Sequence, residues 1–212
     1  MKKLLALCLL SASFAALGEA QQYQIEVIAF SQLNSGGLDS EQWPNIEPHL
    51  DFSTASNFAL LPSNQFKLEP VLHSLEKNPQ YKILLHIAWR ESLAQLNQTH
   101  KIHLYGGQAF DENGKKLSGF ISDQQTPYGQ AAVWQVNGLM SVSLDHYFNL
   151  GMNLYFAEPI NELKSTSQNG YFSPADDGLF YFHLQENRRC KSGELNYFDY
   201  PISGVLVEIF PS

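Results

Sequence analysis

A chain of 212 residues with 13 Lys and Arg against 21 Asp and Glu carries a formal net charge of −8, and only 16% of its residues are charged. That balance excludes nucleic acid and anionic membrane surfaces as general partners, because phosphate recognition needs clustered Lys and Arg. The length suffices for a single domain stabilised by its own core.

The N-terminus begins with Lys2 and Lys3, an apolar run from Leu4 to about Ala16, and small residues ending at Ala20. A basic start, an apolar stretch and a small-residue end describe a cleavable secretory signal peptide over residues 1–20, with Ala16 as an alternative cleavage point. The run is too short to remain as a membrane span, so no membrane insertion is expected after its removal. Cys8 lies inside the apolar run behind Leu7, a residue too large for a lipoprotein cleavage box. Without residues 1–20 the chain keeps eleven basic and twenty acidic residues, a net charge of −9, and Cys190 as its one cysteine. An intramolecular disulfide is then excluded, and residues 21–212 must stabilise themselves by burial, with Cys190 expected as an inert interior thiol.

The remaining chain reads mostly as strands. Tyr23 to Phe30 alternates, with Tyr23, Ile25 and Val27 on one face. Residues 31–54 are loop-like, with a helical turn near Leu38 to Gln42. Ser63 to Lys77 is the best helix: Ser63 caps it and Phe66, Val71, Leu72 and Leu75 form its apolar stripe, although Pro70 competes to set the true first turn. Strands follow over residues 81–90, 101–105, 133–144 and 147–156, the last two joined as a hairpin at Asp145-His146. Residues 113–130 and 158–178 are irregular. A strand from Leu179 to Arg189 puts Phe180, Phe182 and Leu184 on one face and Leu179, Tyr181 and His183 on the other, and residues 202–210 close the sheet. The sum is an α+β fold: one mainly antiparallel sheet of about six or seven strands with one principal helix packed on one face. A ferredoxin-like core with an added hairpin is compatible with that order.

Enzymatic signatures are missing from this sequence. It contains no Gly-x-Ser-x-Gly elbow, His-Glu-x-x-His helix, phosphate loop or dinucleotide fingerprint, and nothing singles out a pair of catalytic carboxylates. The reading is therefore non-catalytic, with no cofactor. His86, His103 and His183 sit on strands without metal-ligand spacing, and half-buried sheet histidines bonded to backbone are expected there.

The most informative stretch is Asn187 to Pro201, where Arg188, Arg189, Lys191 and Glu194 precede Tyr197, Phe198, Asp199 and Tyr200. Guanidinium groups offer bidentate bonds to carboxylates, and the aromatic rings offer stacking faces. The competing reading is internal: Arg188 or Arg189 paired with Glu194 or Asp199 to pin a loop to a sheet edge. Trp43, in a Pro-bounded loop, is either a sugar-stacking face or a plug for that loop. Arg90 either pairs with Glu194 or faces a ligand carboxylate.

This stretch, together with Tyr23-Gln-Ile-Glu-Val-Ile-Ala-Phe30, Ser40-Glu-Gln-Trp-Pro44 and Tyr81-Lys-Ile-Leu-Leu-His-Ile-Ala-Trp-Arg90, resembles the CsiV family of Gram-negative periplasmic proteins, in the same order along the chain. Cys190 and Tyr200 depart from the family pattern, which has a larger side chain such as Met and a His there. The resemblance implies a periplasmic peptidoglycan-binding protein that supports cell-wall assembly and cell shape. It also implies two partners, a class A penicillin-binding synthase active at the septum and that synthase's outer-membrane lipoprotein activator. On this reading Arg188, Arg189, Tyr197, Tyr200, Trp43, Asp199, Glu194 and Arg90 contact peptidoglycan. The alternative is a protein–protein adaptor without direct glycan contact.

Overall fold

The computed structural model describes residues 21–32, 35–93, 98–118 and 132–212. The expected signal peptide and most of the irregular stretch at 113–130 lie outside them. Eight strands run through the described residues: β1 (Gln21–Ser31), β2 (Lys82–Leu93), β3 (His100–Phe110), β4 (Val133–Leu144), β5 (Phe148–Pro159), β6 (Leu179–Cys190), β7 (Asn196–Tyr200) and β8 (Ser203–Pro211). Three short helices accompany them: α1 (Ser35–Leu38), α2 (Glu69–Glu76) and α3 (Ile160–Thr166).

The strands do not form the one sheet expected from the sequence. They divide into two four-stranded antiparallel sheets, ordered β2-β1-β8-β7 and β3-β4-β5-β6. This corrects both the single-sheet and the ferredoxin-like readings. The apolar alternation explains the division. Ile25, Val27, Ala29, Val205, Val207 and Ile209 of the first sheet share a core with Met140, Val142, Leu154, Phe156, Phe182 and Leu184 of the second. Each sheet supplies one inner face, so the main core lies between them.

The first sheet is also covered on its outer face, where Ile28, Phe30, Leu68 and Leu206 form a second cluster with Val71, Leu72 and Leu75 of α2. That cover replaces the long helix predicted over Ser63 to Lys77. A 3-10 turn occupies Ser63–Gln65, and α2 starts afresh with Pro70 in its first turn, where the missing N–H costs nothing. At eight residues α2 barely exceeds the seven of α3, which forms within the stretch 158–178 expected to be irregular, so no single helix is principal.

Glu26 fastens this cover. Its side chain is fully buried on β1 and accepts the Lys67 and Leu68 N–H groups at 2.7 and 2.9 Å, with His86 Nε2 at 2.8 Å. Burial pushes its pKa up, but the His86 hydrogen bond and the two backbone N–H groups outweigh it and hold the carboxyl below its ordinary range.

Several boundaries follow the sequence closely. β4 spans Val133–Leu144 as predicted, and the hairpin to β5 turns through Asp145, whose carboxylate accepts the Tyr147 N–H at 2.7 Å. β2, β3, β5, β6 and β8 extend one to five residues past their predicted ends or shift by one. The five-residue β7, at the heart of the Arg-Arg-aromatic stretch, takes the place of the loop expected there.

Candidate functional site

The two arginines of that stretch are neighbours on β6, and strand alternation sends them to opposite faces. Arg188 turns toward the interior side, at the seam where edge strand β6 meets edge strand β7. It pairs with Glu186, donates from Nη1 to the Tyr197 carbonyl at 2.6 Å, and lies 4.5 Å from the Phe198 ring centre. This guanidinium therefore joins an edge of one sheet to an edge of the other. The internal reading holds for Arg188, but its carboxylate partner is Glu186 and not Glu194 or Asp199.

Arg189 points the other way, into solvent on the open face of the second sheet. Among the described residues its side chain has no hydrogen bond or ion pair, although its charge helps hold the Asp145 carboxyl below its usual range, after the Tyr147 N–H.

Alternation splits the aromatics as well. Tyr197 and Asp199 sit on the outer face of the first sheet, where the Tyr197 hydroxyl donates to Asp199 Oδ1 at 2.6 Å and the ring stacks on Phe30. Tyr200 turns inward, its ring 5.6 Å from Trp43 and 6.5 Å from Phe182. Trp43 is half-buried against the main core, donates from Nε1 to the Leu38 carbonyl at 3.1 Å, and receives the Tyr171 hydroxyl on its own carbonyl at 2.6 Å. These contacts fasten its loop to the core. Glu194 closes the β6–β7 turn by accepting the Lys191 N–H at 2.9 Å. Arg90 lies on β2, at the far edge of the first sheet from β7, and donates to Gln65 Oε1 at 3.1 Å. The eight candidate residues therefore do not converge on one patch. Trp43, Asp199, Tyr200 and Arg188 line or border the seam, while Arg189 faces elsewhere.

Two grooves flank β6. One, of about 360 Å3, opens along the seam and is lined by Pro44, Ile46, Gln185, Glu186, Asp199 and Tyr200 among others. The other, of about 350 Å3, opens on the second sheet beside Arg189 and is lined mainly by Ser141, Ser143, Asn149, Gly151 and Asn187. These residues fall in two cross-strand rows, Ser141–Gly151–Asn187 and Ser143–Asn149–Arg189.

The same face continues as a ladder of polar and aromatic side chains. His103 Nε2 bonds Asn137 Oδ1 at 2.8 Å, His183 Nε2 bonds Asn153 Oδ1 at 2.7 Å, and the His183 ring stacks on Tyr155 at 4.2 Å. Burial lowers the pKa of both histidines, so they stay neutral near pH 7. Their partners are side-chain amides, not the backbone groups expected from sequence. The sequence signal for this face was present in the polar alternates of the predicted strands, Ser141, Ser143, Asn149, Asn153 and Gln185.

Comparison with known families decides the kinship. The family model described as "Peptidoglycan-binding protein, CsiV" matches residues 46–212. The chain belongs to the CsiV family. The match takes in the 81–90 and 187–201 segments, while Tyr23 to Phe30 and Ser40 to Pro44 lie ahead of it. No curated protein and no solved structure matches the chain. A CsiV member is by description a binding protein of the cell wall, and among the described residues no helix is long and apolar enough to cross a membrane.

Proposed function

We propose that this chain is a non-catalytic periplasmic protein that binds peptidoglycan and supports cell-wall assembly and cell shape. It would do so by promoting a class A penicillin-binding synthase together with that synthase's outer-membrane lipoprotein activator. Membership of a peptidoglycan-binding family carries the binding part of this reading. The synthase, its activator and the septal setting come from the CsiV resemblance. Uncommitted Arg189 supports direct contact with the wall: peptidoglycan stem peptides carry free carboxylates, and a chain of net charge −8 must meet them through a local cation. Arg188, Tyr197 and Trp43 would act by holding the seam and its loop in place.

A sacculus pull-down across a range of salt tests the proposal. The purified protein should pellet with sacculi and release no soluble fragments from them. Release of fragments would make it a hydrolase; failure to pellet at any salt would remove direct wall binding.

One observation favours the adaptor alternative. The Tyr181 N–H donates to Asn45 Oδ1 and the His183 backbone bonds the Tyr200 hydroxyl, so odd-numbered residues of β6 direct their backbone groups away from β5. Gln185 follows in the same phase and lines the seam groove, where an extended partner segment would find an open strand edge. In the pull-down, an adaptor stays in the supernatant unless its partner is added.

A further inference from the structure

We infer that the groove beside Arg189, on the open face of the second sheet, is a glycan site for an N-acetylated amino-sugar unit whose attached peptide presents a carboxylate to Arg189. The inference rests on the peptidoglycan-binding reading and specifies which part of the wall is held.

The floor of this groove is the backbone of β5 at Gly151. A Cβ at this position would come within 2.7 Å of Asn187 Oδ1 and closer still to Ser141 Oγ, so glycine here lets these two polar groups converge over the groove floor. The walls are hydroxyls and amides. Among the described residues the side chains of Ser141, Ser143 and Asn187 make no hydrogen bond, while Asn149 turns its amide to the Tyr147 carbonyl at 3.5 Å and to the Asp145 carboxylate. Sugar hydroxyls and acetamido groups each both donate and accept, and Ser and Asn side chains meet both needs. A volume of about 350 Å3 suits one sugar unit and its first substituent and lies at the small end of ligand sites.

Charge selects the substituent. None of the groove-lining residues is a carboxylate, and of its two arginines Arg188 is already committed to Glu186 and the Tyr197 carbonyl. Arg189 remains: it feels the Asp145 carboxylate across the rim but makes no hydrogen bond or ion pair among the described residues, which leaves its planar fork for one ligand carboxylate. The seam groove has the opposite character, with Glu186 and Asp199 in its lining, and would repel an anionic ligand. Neutral polar walls with one cation at the rim fit an uncharged sugar with an acidic appendage.

Calorimetric titration with two soluble probes tests this: a disaccharide-tetrapeptide released from sacculi by muramidase, and a chito-oligosaccharide, an N-acetylated amino-sugar chain without any carboxylate. The disaccharide-tetrapeptide should bind more tightly, with about a tenfold loss for the chito-oligosaccharide, which offers Arg189 no carboxylate. Arg189→Gln should weaken the disaccharide-tetrapeptide about tenfold and leave the chito-oligosaccharide, which has no carboxylate, unchanged. Asn187→Ala and Gly151→Ala should weaken both; Gly151→Ala meets only side-chain ends, and circular dichroism checks that each variant folds. If folded variants bind every probe as the wild type does and still pellet with sacculi, the groove is wrong and the wall-binding reading stands. Should the wild type neither pellet nor bind any probe, both fall.

Discussion

Arg188 and Arg189 are chemically identical and one residue apart, yet the strand alternation gives them different work. Arg188 joins the two sheets through Glu186, the Tyr197 carbonyl and the Phe198 ring. Its replacement by Ala should lower unfolding stability by about 1–3 kcal/mol, since charge-assisted bonds and a ring contact are lost together. Arg189→Ala should change stability by no more than about 0.5 kcal/mol, as for other unpaired surface side chains. Urea unfolding of the two variants makes the comparison. Glu158 offers a test of a different kind. It is buried on β5 with Oε1 accepting from Gln135 Nε2 at 2.6 Å, while Oε2 has no partner among the described residues. Burial raises its pKa to about 7 from the ordinary 4.5. A carboxyl raised in the folded state stabilises fully below pH 4.5, and that contribution disappears as pH climbs through about 7. Glu158→Gln keeps the acceptor and cannot ionise. It should therefore gain on the order of 1–3 kcal/mol over the wild type at pH 8, and far less at pH 5, in parallel thermal melts.

At the level of elements, β7 shows how a five-residue strand can belong to two environments. Its even-numbered members, Asn196, Phe198 and Tyr200, face the main core, while Tyr197 and Asp199 face outward beside Phe30. The outward arrangement depends on Gly204, the residue paired with both Phe30 and Asp199. A Cβ at Gly204 would lie 2.5 Å from the Phe30 ring and 2.6 Å from the Tyr197 ring. Both rings are rigid, so Gly204→Ala should cost about 1–3 kcal/mol and lower the melting temperature. The glycan groove lies on the other sheet, so sacculus pelleting by folded Gly204→Ala protein should match the wild type.

For the molecule as a whole, the shared core sets cooperativity. Neither sheet buries its inner face without the other, because Val27, Val207, Met140 and Phe182 all belong to one apolar cluster. Unfolding should be a single transition. Trp89 reports on the first sheet and Trp134 on the second, so tryptophan fluorescence and far-UV circular dichroism should superimpose through a urea titration. Separated curves would show that the sheets unfold independently.

Strand identity and facing were legible without coordinates, because period-two apolar patterns survive in any sequence whose strands bury one side. Tyr23, Ile25 and Val27 share a face as read, and so do Phe180, Phe182 and Leu184. Kinship was legible too, through short segments in a fixed order. β7 was hidden because its charged and aromatic neighbours look like a binding loop, and α3 because it is short and sits among polar residues. The division into two sheets was undetermined for a different reason: a strand's pattern shows which side is buried but not which strand lies across from it. The same limit governed the site. Adjacency of Arg188, Arg189, Tyr197 and Tyr200 in the chain made them look like one patch, and alternation on two different sheets dispersed them. Conversely, Ser141, Gly151 and Asn187 are far apart in sequence and meet only because β4, β5 and β6 pair in one register. Local pattern and family membership are properties of the sequence alone. Which polar side chains share a groove is decided by strand pairing, a long-range interaction that only the folded chain makes.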